Sequence, residues 1–315
     1  MPIQDPLVLQ EKIECGAVMT AQDRAAVLRL ARRFEDVGFD SLWVGDHVSF
    51  YIPILESLTT LAFLAGVTER VKLGTSVYLL PLRHPTTTAK VAATLDVLAG
   101  GRLLFGVGVG GEFPPEFEAC GVPVTERGSR ANEAIAVLRK LWTEPRAGYE
   151  GRHFRFAPVA IEPKPMQPGG PPILIGGRKE PAFRRAGSLG DGYISHMCSA
   201  EMYRDNLDKI RGYAHAAGRR AAPFLTAAFL FTILDDDYDA ALKKAEQLLQ
   251  MIYNRPFGEA ARKYCLLGRP EDCVEQLRRF QQSGCRHFVL SPLMDADEFA
   301  ERASAGILPA IRAGL

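Results

Sequence analysis

The chain has almost no net charge: 38 Lys and Arg stand against 37 Asp and Glu, giving +1 over 315 residues. A nucleic-acid or anionic-lipid surface needs a basic excess that is missing here. No stretch approaches roughly 18 consecutive apolar residues, so no membrane-crossing helix is expected. The start, MPIQDPLVLQEKIECG, lacks the basic and apolar segments of a signal peptide, and a cytoplasmic protein is expected. The six cysteines (Cys15, Cys120, Cys198, Cys265, Cys273, Cys285) form no C-x-x-C pair and no zinc spacing. They read as reduced structural thiols. There is no H-x-H, H-E-x-x-H, Asp-rich loop or G-x-S-x-G elbow. No metal is expected, and a metal-dependent hydrolase finds only Asp46 and His47 to build on.

Glycine and proline are present in excess. The 29 Gly and 21 Pro make about 16% of the chain, against about 12% in an average protein. They punctuate a regular rhythm. Short β-rich runs fall at 13–19, 40–46, 71–77, 102–110, 171–177, 191–195, 224–234 and 285–291. Between them, apolar residues recur at helical spacing, with Thr20 and Thr86 as expected N-caps and Gly38 as a C-terminal stop. Eight strand–helix units without a linker predict a closed (β/α)8 TIM barrel, an α/β fold in one domain spanning 1–315. The rhythm breaks only at about 144–170, after the fourth unit, where YEGRHFRF and a proline cluster predict an inserted hairpin or extended excursion. The helix near 58–67 is apolar almost all round, so it should be buried against the barrel or a second subunit.

In such barrels the chemistry sits where the strands end. That rule selects Asp46 and His47 after the second strand, and Ser76 and Val77 after the third. It selects Gly110, Gly111 and Glu112 after the fourth, Gly176, Gly177 and Arg178 after the fifth, and Ser195 and His196 after the sixth. His84 lies further along the third loop. His47 is the leading candidate, since imidazole exchanges a proton near neutral pH; the other reading is a structural histidine bonded to a loop carbonyl. Asp46 and His47 should point apart, as neighbours on a strand do. Gly106–Gly111 formally matches G-x-G-x-x-G, but Glu112-Phe113-Pro114-Pro115 follows where a dinucleotide-binding helix should begin, so a Rossmann site is not expected. These glycines let a flat ring approach the backbone, or simply make a tight loop. Gly176-Gly177-Arg178, between strand and helix, suits a phosphate; a plain turn is the other reading.

Several segments together resemble the bacterial luciferase-like flavin and deazaflavin oxidoreductases. They are GFDSLWVGDH, TERVKLGTSV, LRHPTTTAKVAATLDVLAGGRLLFGVGVGGEF, ERG at 126–128, LW at 141–142, YEGRHF, PPILIGG and GDGY, covering roughly 13–195 in order. The resemblance implies a barrel with an insertion and an isoalloxazine-type cofactor at its mouth. It implies that Asp46 and His47 sit beside the ring, with His47 moving a proton. It implies a non-proline cis peptide at Ser76–Val77 behind the ring, Gly110 and Gly111 near it, and the phosphate on Gly176, Gly177 and Arg178. Many relatives carry Trp after the glycine run; here Glu112 stands there as a polar contact. The Trp43–His47 run is more like the hydride-transferring members, so coenzyme F420 is the preferred cofactor and a small organic molecule the substrate. FMN, used with oxygen by a monooxygenase, is the alternative; a flavin-binding protein without turnover is a further one. The resemblance also implies a homodimer and a partner reductase for the flavin or F420.

Overall fold

The structure, a computed structural model, describes residues 5–315. Eight parallel strands close into a barrel: Glu14–Val18, Ser41–Val44, Lys72–Thr75, Leu103–Gly108, Ile173–Gly176, Gly192–Ser195, Ala222–Leu234 and His287–Pro292. Each pairs with its successor, and the eighth pairs with the first, with Leu290 opposite Ala17. The (β/α)8 barrel expected from the sequence is the fold.

Seven strands each send one apolar side chain inward: Val18, Trp43, Leu104, Leu174, Ile194, Ala227 and Val289. The third strand contributes Gly74 instead. A Cβ there would lie 2.3 Å from the Trp43 ring, so the indole occupies the space of two side chains. Trp43 is therefore packing. Beneath it, the N-terminal end of the barrel is closed by a polar cluster. Trp43 Nε1 donates to Ser41 Oγ at 2.7 Å, and Ser41 Oγ lies 2.7 Å from His287 Nε2. His287 Nδ1 is 3.2 Å from Glu14, which accepts from Lys72 Nζ at 2.7 Å. Burial raises the Glu14 carboxyl, but hydrogen bonds and charge from His287 and Lys72 outweigh it and hold it at about 2. The Ser–His–Glu order is that of a hydrolase triad, but Ser41 is buried at the end of the barrel away from the strand C-termini.

Local chemistry shifts several boundaries. The first helix, Arg24–Val37, is capped by Asp23, which accepts from Ala26 N at 3.0 Å, and not by Thr20. Gly38 ends it with φ 100°, as expected. Helix Pro85–Leu98 is capped by His84 rather than Thr86, because Pro85 fits the first helical turn. The 144–170 segment contains the hairpin Ala147–Glu150/Arg155–Val159. Strands Leu7–Leu9 and Leu266–Gly268, both paired with the long seventh strand, and helices Pro114–Ala119 and Gly258–Tyr264 were not expected. No helix among the described residues is long and apolar enough to cross a membrane. All six cysteines are free, and burial pushes the Cys198, Cys265, Cys273 and Cys285 thiols up to about 12, far from a reactive thiolate.

Candidate active site

The second strand ends at Val44, and the chain leaves the sheet through Gly45. Asp46 turns inward and is 3% exposed. Its carboxylate accepts from Leu79 N at 2.8 Å, Ser57 Oγ at 3.1 Å and Arg83 Nη2 at 2.9 Å. Those contacts tie the second loop to the third loop and to the start of helix Ser57–Ala65. All of these donors are internal, so Asp46 is placed to fix the loop on which His47 rides.

His47, also beyond the end of the strand, takes a different partner. Its Nδ1 lies 3.2 and 3.1 Å from the two Glu116 carboxylate oxygens. Glu116 is fully buried and also accepts from Val48 N at 3.2 Å. With the Nδ1 proton given to Glu116, Nε2 is the nitrogen left to exchange a proton, and it has no protein partner among the described residues. Phe50 lies flat on the imidazole, ring centres 3.9 Å apart. Glu116 escaped the sequence reading. It sits on helix Pro114–Ala119, and the signal was there: paired prolines fit a first helical turn.

The third strand gives way to a bulge. Ser76 N donates to Val44 O at 2.8 Å, and the Ser76–Val77 peptide is cis. Val77 packs over the fourth and fifth strands, where a Cβ at Gly108 or Gly176 would come within 2.4 or 2.8 Å of its methyls. These glycines make room for the chain's own bulge. Gly110 and Gly111 follow with φ 60° and 110°. A Cβ on Gly111 would meet Arg127 Nε at 3.0 Å, and that buried nitrogen has no hydrogen-bond partner.

Across the mouth, Gly177 takes φ 146° and its carbonyl accepts from Tyr193 OH at 2.9 Å. Arg178 Nη2 lies 3.6 Å from Glu112 Oε1, joining the loops after the fourth and fifth strands. Ser195 is 1% exposed, and its Oγ has no hydrogen-bond partner. His196 Nε2 is 3.2 Å from Tyr253 OH. Burial, with Arg178 and Arg255 adding to it, lowers His196 to about 4, so it is neutral at pH 7. His84 stands apart from this group: its Nδ1 accepts from Thr86 N at 3.3 Å and serves as a helix cap. The strand ends thus gather one oriented histidine, a cis bulge, two left-handed glycine turns and two buried polar atoms left open.

Residues 8–287 match the family model described as luciferase-like monooxygenase. The F420-dependent glucose-6-phosphate dehydrogenase of Nakamurella multipartita is 30% identical, over 90% of this chain and 91% of that protein. The enzyme of the same name from Amycolatopsis mediterranei is 27% identical, over 91% of this chain and 94% of that protein. Among solved structures, an F420-dependent secondary alcohol dehydrogenase in complex with an F420-acetone adduct superposes with TM-score 0.85 at 23% identity, covering 96% of this chain and 99% of that one. At that identity the structural likeness speaks for the fold. The family match, spanning most of the length, and the curated relatives speak for descent: the chain belongs to the luciferase-like monooxygenase family.

Proposed function

We propose that the chain is an F420-dependent oxidoreductase that moves a hydride to or from a small organic substrate, with His47 as proton acceptor and donor. The observation that carries this reading is the His47–Glu116 pair after the second strand, which holds the imidazole by Nδ1. The relatives' F420-dependent names support the deazaflavin over FMN, and an enzyme over a non-catalytic flavin binder or a metal hydrolase.

The residues fit the group. Ser195 Oγ and Arg127 Nε are buried polar atoms without partners, a costly arrangement unless a bound molecule supplies them. Ser76 and Val77 would back the ring, with Gly110 and Gly111 at its edge. Gly176, Gly177 and Arg178 would hold the phosphate, and Glu112, Ser195 and His196 the polar rim. When bound, F420 supplies a ring carbon that accepts or returns a hydride, while the substrate's hydroxyl or carbonyl oxygen loses or gains the matching proton.

This chain's residues do the rest. Glu116 holds the imidazole by Nδ1, so Nε2 takes the substrate proton without first reorienting. Asp46 positions the loop through Arg83, Ser57 and Leu79. A homodimer, a reductase partner, a cytoplasmic location and one domain over 1–315 belong to the same proposal. Exposed Val91, Val97 and Leu98 on helix Pro85–Leu98 support the dimer. The test is His47→Ala: turnover should fall about 10²–10⁴-fold with F420 affinity little changed. Unchanged turnover would contradict the role.

A further inference from the structure

Beside the His47 imidazole stands a frame of rings. Phe50, stacked on the imidazole, meets Phe113 at 6.1 Å and Tyr253 at 6.0 Å, both nearly perpendicular. Tyr51 packs edge-on to Phe113 at 4.9 Å. Tyr253 continues the frame to His196 and Phe231, each at 6.3 Å. These rings come from separate segments: the loops after the second and fourth strands, the end of the sixth, the seventh strand and helix Tyr238–Tyr253. Some of this surface stays open, with Tyr51 46% exposed. An apolar surface at the mouth of a site is explained by the ligand that covers it.

The polar atoms of the frame carry no charge. Tyr253 OH pairs with His196 Nε2, and both groups are neutral at pH 7. The nearby cations already have roles: Arg178, assigned above to the cofactor's phosphate, is one of them. Arg178 pairs with Glu112, and exposed Arg255 spreads over the Tyr253 and Phe257 rings at 5.6 and 5.3 Å. A phosphate ester calls for free, converging cations, whereas a ring-bearing neutral molecule calls for edge and face contacts.

We propose that this frame selects an uncharged, ring-bearing alcohol or its carbonyl counterpart, and not a sugar phosphate. The proposal rests on the F420 oxidoreductase reading. In the oxidising direction the hydroxyl proton would go to His47 and the carbinol hydride to the bound deazaflavin, leaving the carbonyl product.

The F420-loaded protein is assayed with 1-phenylethanol, 2-propanol and glucose 6-phosphate. Deazaflavin fluorescence measures cofactor binding separately. The expected kcat/KM for 1-phenylethanol is about tenfold or more above either of the others. Tyr51→Ala and Phe113→Leu should each lower the 1-phenylethanol to 2-propanol ratio several-fold, a readout that a partly misfolded sample does not change. Preference for glucose 6-phosphate, or a ratio unmoved in both variants, overturns the proposal. Absence of F420 binding would sink the parent reading instead. Saturation-transfer NMR then still tests the frame: transfer to the phenyl protons supports it, and none refutes it.

Discussion

His47 can carry a proton only if one ring nitrogen is held and the other is left free. Glu116 supplies the hold from 69 residues away, on a helix that brings it to the imidazole only after folding. That separation is why the sequence disclosed His47, beside Asp46 at a strand end, but not its partner. Glu116→Ala should lower kcat by up to about 10²-fold with a smaller effect on KM, since it disturbs orientation more than binding. Nitrogen-15 spectra of labelled histidine should show Nδ1 protonated in the wild type and a tautomer mixture in the variant. An unchanged tautomer would leave Glu116 merely structural. His196 poses the opposite case. Its folded pKa of about 4 lies below the usual 6.5, so the folded state binds fewer protons than the unfolded chain between those values. Its neutral form contributes stability above pH 6.5 that is lost as pH falls to about 4. An NMR titration of His196 with a midpoint near 6.5 would contradict this.

At the scale of elements, periodicity made the strands and helices legible, while caps and short additions depended on contacts the sequence does not display. Asp23 and His84 replace Thr20 and Thr86 as caps because the helices start where Asp23 and Pro85 let them. The sequence predicts that strand-end glycines make room for a ring or a tight loop. The structure also gives Gly74 to Trp43, and Gly108 and Gly176 to Val77. Gly74→Ala should destabilise the protein by about 1–3 kcal/mol, because the indole is enclosed and cannot retreat. The urea midpoint measures this, and a loss near zero would refute the packing argument. The cluster at the barrel's closed end gives a second test. Glu14 titrates at about 2 when folded against 4.5 ordinarily, so its contribution is complete above pH 4.5 and lost as pH falls towards 2. Glu14→Gln should remove part of the acid limb of the stability profile.

For the whole molecule, eight alternations of strand and helix were enough to read the barrel, because each parallel strand needs a crossover helix to return the chain. What the rhythm could not convey was which loops meet above the strands. Glu112 and Arg178, or His196 and Tyr253, follow neighbouring strands, but their pairing depends on loop geometry that periodicity does not carry. The dimer proposed above is tested by Leu98→Glu, which should shift the sedimentation coefficient towards a monomer if the exposed face of helix Pro85–Leu98 is the interface. The cofactor is tested by a parallel anaerobic titration of the purified protein with oxidised F420 and with FMN, followed by cofactor fluorescence. Saturable binding of F420, about tenfold or more tighter than FMN, is expected. Tighter binding of FMN, or binding of neither, would contradict it.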